Sequence, residues 1–149
     1  MMKIQMAYEF LDHTADVAFR VTAGTPADLL AEAARAFYAV LLDEESIRRI
    51  EPRVERRADI DGIDGEMVLV DFLNELIYRF DSENLVLPEV AVEEARLDRG
   101  GARLRARLRG ERFDPVRHRL RTGVKAATYH GLRIEASGGK LAVEVVLDL

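Results

Sequence analysis

Two hydrophobic periods take turns along this chain, and the points where one gives way to the other mark its elements. Residues Tyr8–Leu11 read as a short strand, and 15–21 alternate, with Val17, Phe19 and Val21 on one face and Ala18 and Arg20 on the other. Thr25-Pro26-Ala27-Asp28 then opens a helix: Thr25 as N-cap, Pro26 at the first helical position, and an acid three residues after the cap. Leu30, Ala33, Phe37 and Leu41 follow at helical spacing, and the helix is expected to end near Asp43. A charged strand over 54–60 leads to the turn Asp61-Gly62-Ile63-Asp64-Gly65 and to a second helix over 67–80. Its core face is Leu69, Phe72, Leu73, Leu76 and Phe80, which leaves Asp71, Asn74, Glu75 and Arg79 outside. Asp81-Ser82-Glu83-Asn84 stops it.

From there the period is two. Strands are expected over 90–97, 102–108, 124–129, 132–136 and 141–147, with hairpin turns at Asp98-Arg99-Gly100-Gly101 and Ser137-Gly138-Gly139-Lys140. In the 102–108 strand, Leu104, Ala106 and Leu108 point inward and Arg103, Arg105, Arg107 and Arg109 outward. The fold class is α+β: a single domain, residues 1–149, in which two helices pack on a mostly antiparallel sheet.

Composition narrows the function. Apolar residues make up 48% of 149 and charged residues 33%, which excludes a disordered or low-complexity chain. Without cysteine there are no disulfides, thiolate metal sites or cysteine nucleophiles, and a reducing cytoplasm suits the chain. The longest apolar run, Ala36 to Leu42, falls well short of the ~20 residues of a membrane span, and the first ten residues lack the apolar stretch of a signal peptide. The net charge of −5 argues against global attraction to nucleic acid. Locally the balance reverses, with ten arginines against three acids between Arg96 and Arg121.

Four features carry candidate chemistry. Asp12-His13-Thr14-Ala15-Asp16 gathers two carboxylates and an imidazole at a strand junction, where they can bind a metal or simply cap a turn. Asp148 and the main-chain carboxylate of Leu149 form a compact oxygen pair suited to a hard cation, or else a solvated tail. Lys125-Ala126-Ala127-Thr128-Tyr129-His130 mixes a cation, hydroxyls and an imidazole, but alternation puts Lys125, Ala127 and Tyr129 on one face and Ala126, Thr128 and His130 on the other. The arginine stripe can hold phosphates or an acidic partner, or be the wet face of a sheet. No Walker loop, GxGxxG, GxSxG or HExxH motif occurs.

Taken together, Asp12-His13-Thr14-Ala15-Asp16-Val17, the Lys125–His130 segment and the Asp148-Leu149 end resemble the archease family in order and spacing. The resemblance implies an archease (SHS2-like) fold. It also implies a protein cofactor, not itself an enzyme, that activates an RtcB-type RNA-splicing ligase in tRNA splicing and RNA repair by promoting its guanylylation and multiple turnover. RNA is then met mainly through the ligase, and no membrane is involved. The same resemblance implies a divalent cation, calcium by expectation, held by Asp16, Asp148 and Leu149, with Lys125, His13 and Asp12 contributing to ligase activation. Two other readings remain open: a small metal-dependent hydrolase using Asp16, Asp148 and His13, and an RNA-processing adaptor or chaperone-like binding module.

Overall fold

The computed structural model describes residues 7–11 and 16–149. Asp12 and His13 therefore lie outside the described residues. The chain order is β1 (Tyr8–Leu11), β2 (Asp16–Ala23), α1 (Pro26–Leu41), α2 (Glu44–Arg49), β3 (Val54–Gly62), α3 (Gly65–Glu83), β4 (Leu85–Asp98), β5 (Gly101–Arg112), β6 (Ala126–Thr128), β7 (Glu135–Ser137) and β8 (Lys140–Asp148).

The helix starts follow from local chemistry. Thr25 Oγ1 accepts the Asp28 N–H at 3.1 Å, and Asp64 Oδ1 accepts the Met67 N–H at 2.9 Å, so each satisfies an otherwise orphaned donor. Helix α1 ends at Leu41, close to Asp43 as expected, but Asp43 is not its cap. Asp43 opens a further, unexpected short helix, α2, as its N-cap, accepting from Ser46 N–H at 2.8 Å. That helix has six residues, too few for an apolar stripe to announce it. Helix α3 runs on to Glu83 because the true stop is Asn84, in the left-handed region at φ 58°, whose N–H bonds the Phe80 carbonyl.

The strands form two antiparallel sheets rather than one. The larger has the order β1-β2-β8-β6, with β7 also paired to β8; the smaller has the order β3-β5-β4. Helix α1 packs against β2 and β4 and so touches both sheets, which explains why it buries Leu29, Ala34, Ala36, Tyr38 and Val40 beyond its expected stripe. Helix α3 packs against β3, β4, β5 and β6. Both expected hairpins form; at the second, Gly138 and Gly139 have φ of 59° and 77°, which suits a two-residue turn between twisted strands.

Strand β4 begins at Leu85, ahead of Pro88, which its edge position tolerates. Its register slips between Val86 and Glu89, and the slip presses its backbone onto β5 at Gly110. A Cβ there would lie 1.8 Å from the Val86 carbonyl oxygen, so only glycine fits.

Candidate functional site

The site is assembled at one end of the larger sheet. Strand β2 opens on Asp16 and β8 closes on Asp148, and the antiparallel register makes these two residues direct partners. Strand β6 pairs with the other edge of β8, with Ala126 opposite Asp148 and Thr128 opposite Val146. The Lys125 N–H donates to the Asp148 carbonyl at 2.8 Å.

Alternation then sorts the side chains. Phe19, Ala127, Val145 and Leu147 are buried in the core on one face. On the other, Asp16, Thr128, His130, Val146 and Asp148 line an open cleft of about 570 Å³. The sequence placed Thr128 and His130 on one face, and both do line this cleft. Tyr129 is 52% exposed, and its hydroxyl donates to Asp71 Oδ1 at 3.0 Å. Partial burial and the Asp71 charge hold that phenol above its ordinary value. Lys125 and Leu149 are exposed, and neither is among the residues that line the cleft.

The donor set fits a hard cation in kind. Two carboxylates at directly opposite positions have Cβ atoms roughly 5 Å apart in such a pair, where like charges are unfavourable unless a cation or a hydrogen-bond donor intervenes. Among the described residues no three His, Asp or Glu side chains gather round one point. Asp16 and Asp148 would therefore need further oxygens, which the Leu149 carboxylate, the Thr128 hydroxyl and water supply in chemical type.

The arginine stripe is committed within its own sheet. Arg103 reaches Asp61 Oδ1 at 2.8 Å, Arg109 reaches Glu55 at 2.8 Å, Arg107 reaches Glu93 at 3.4 Å, and Arg105 reaches Asp61 at 3.4 Å. The acids come from β3 and β4, which flank β5, so the row is a charge-matched outer face rather than a vacant phosphate cradle.

Sequence reasoning missed Asn74 and Asp71. Both were assigned to the solvent side of α3, whereas both face the 127–129 segment. The available signal was Asn74 itself, since asparagine is disfavoured inside helices unless its amide has a partner.

No described helix is long and apolar enough to cross a membrane. Comparison with known proteins gives a consistent result. The model of the Archease protein family (MTH1598/TM1083) matches residues 8–149. Protein archease of Methanopyrus kandleri is 38% identical over 144 residues, covering 97% of this chain and 100% of that one. Protein archease of Pyrococcus furiosus is 35% identical over 143 residues, covering 95% and 98%. The solution structure of Methanobacterium thermoautotrophicum protein 1598 superimposes with a TM-score of 0.75 at 29% identity, covering 96% and 99%. A Thermotoga maritima crystal structure, described as an archease and possible chaperone, shares the fold at a TM-score of 0.55 and 21% identity, covering 100% and 98%. With its helices on antiparallel sheets and its match running from the first strand to the last residue, this chain belongs to the archease family.

Proposed function

We propose that the chain is a metal-binding protein cofactor of an RtcB-type RNA-splicing ligase, which promotes guanylylation of the ligase and returns it to further turnovers. The observation that carries this reading is the register pairing of Asp16 with Asp148. It brings the two segments of the archease resemblance at the chain's extremes into one cleft, which Thr128 and His130 of the third segment, Lys125–His130, also line. Asp16, Asp148 and the Leu149 carboxylate would hold a divalent cation of the calcium type. Such an ion supplies positive charge in an otherwise acidic cleft and so makes it receptive to a phosphate or carboxylate of the partner. Lys125, exposed and bonded through its main chain to Asp148, adds a second cation for the same partner. Asp12 and His13 lie in the sequence between β1 and β2, outside the described residues, and are assigned to partner contact on the resemblance. The chain works in the cytoplasm and meets RNA through the ligase.

The test is ligase turnover. Ligase, GTP, a divalent metal and excess cleaved RNA are mixed with and without the protein. The reading expects several equivalents of joined RNA per ligase only when the protein is present. Product that stops at one equivalent in both mixtures rejects it. Phosphoester hydrolysis by the protein alone would favour the metal-dependent hydrolase instead.

A further inference from the structure

Strand β6 is three residues long and lies at the end of the larger sheet's strand order. In an antiparallel strand the N–H and C=O of one residue point to the same side, and those of the next residue point to the other. Ala126 and Thr128 pair with Asp148 and Val146 of β8, and the amide and carbonyl of Ala127 between them face away from β8, where the described residues supply no further strand. Asn74 of α3 meets both of them: its Oδ1 accepts the Ala127 N–H at 2.8 Å, and its Nδ2 donates to the Ala127 carbonyl at 3.2 Å. A primary amide carries one acceptor and donors in one plane, so this side chain stands in for the missing strand.

The contact does not stand alone. Further along, Tyr129 bonds Asp71, and the Ile134 N–H bonds Glu66 Oε2 at 2.9 Å. The segment thus runs antiparallel to α3, tied at three points, and its other edge carries the chain end that holds Asp148. Thr128, next to Ala127, and His130 beyond it are the β6-side residues that line the cleft.

We propose that Asn74 is a positioning residue of the site: its paired bonds to Ala127 set the height of β6, and through it the placement of Lys125, Thr128 and His130 beside Asp16 and Asp148. As far as it concerns the cation, the inference rests on the metal-binding reading above. It touches neither metal nor partner and acts only through the strand.

The test compares the native chain with Asn74→Asp, which is nearly isosteric and keeps only the acceptor, and Asn74→Leu, which keeps neither bond. All are studied at a temperature where melting curves show each to be fully folded. Amide hydrogen exchange is followed at Lys125 and Ala127 with Leu73 and Leu108 as core references, and calcium binding is measured by calorimetry. The expected result is faster exchange at Lys125 and Ala127 with unchanged core references, and calcium affinity lowered about tenfold in Asn74→Leu, with Asn74→Asp between. Equal acceleration at the core references would make Asn74 a general stability residue and overturn the proposal. So would unchanged calcium affinity despite a loosened Lys125, because the strand's placement would then not matter to the site. If the native chain itself binds no calcium, the metal reading falls, and Lys125 exchange alone then decides whether Asn74 sets the strand.

Discussion

Asp16 and Asp148, from opposite ends of the chain, stand directly across from each other where β2 meets β8. A divalent ion bound between them would bind the folded chain only, because the unfolded chain separates its ligands. Calcium at a hundred times its dissociation constant should then stabilise the protein by about 2.7 kcal/mol. The increment should disappear in Asp148→Asn. It should also shrink when a C-terminal tag converts the Leu149 carboxylate into an amide, and it should survive an N-terminal tag. Melting curves in calcium and in chelator check this; an equal calcium shift in all four proteins would place the ion elsewhere.

Lys125 separates structure from activity. Its main chain is tied to Asp148, while its side chain is exposed. Lys125→Ala should therefore change stability by no more than about 0.5 kcal/mol. Ligase turnover should nonetheless drop. A variant that sustains native turnover would reduce Lys125 to a solvated strand lysine.

Tyr38 is buried, and its hydroxyl accepts the Leu87 N–H at 2.9 Å. Leu87 lies inside the register slip of β4, so its N–H has no ladder partner. Burial also pushes the phenol well above its ordinary value. Tyr38→Phe keeps the ring but strands that donor, at a cost of about 1–3 kcal/mol. Urea unfolding should show a lower midpoint at an unchanged slope; a midpoint equal to the native one would mean that water reaches Leu87.

Acid should loosen the fold in a defined direction. Hydrogen bonds from Arg56 and Arg79 hold Glu83 below its ordinary value of 4.5. Arg103 does the same for Asp61, and the hydroxyl and N–H of Ser46 for Asp43. In each case folding favours the charged carboxylate. The stabilisation is therefore complete above the unfolded-state values and is lost as pH falls below about 4.5 and through the lower folded-state values. The pairs are exposed or only partly buried and each contributes modestly, so the decline should be gradual, and Glu83→Gln should make it shallower. Denaturant midpoints measured from neutral pH to pH 3 check both statements; a profile flat throughout would refute them.

Much of this architecture was legible because its causes are local. Thr25 and Asp64 bond amides three residues away, and Gly138-Gly139 needs only its own backbone freedom. The alternation of Leu104, Ala106 and Leu108 with arginines is a property of one strand, and it holds whichever strands lie beside it. Likewise Thr128 and His130 could be put on one face without knowing what that face would meet. The two-sheet division, the pairing of β2 with β8 and the acids opposite each arginine were decided by tertiary structure, since register is set by which hydrophobic faces find a common core. Asn74 shows the limit most plainly. By helical period it belongs with Glu75 and Arg79 on the wet side of α3. It is turned to use because β6 ends its sheet within reach, leaving one amide and one carbonyl that Asn74 of another element satisfies.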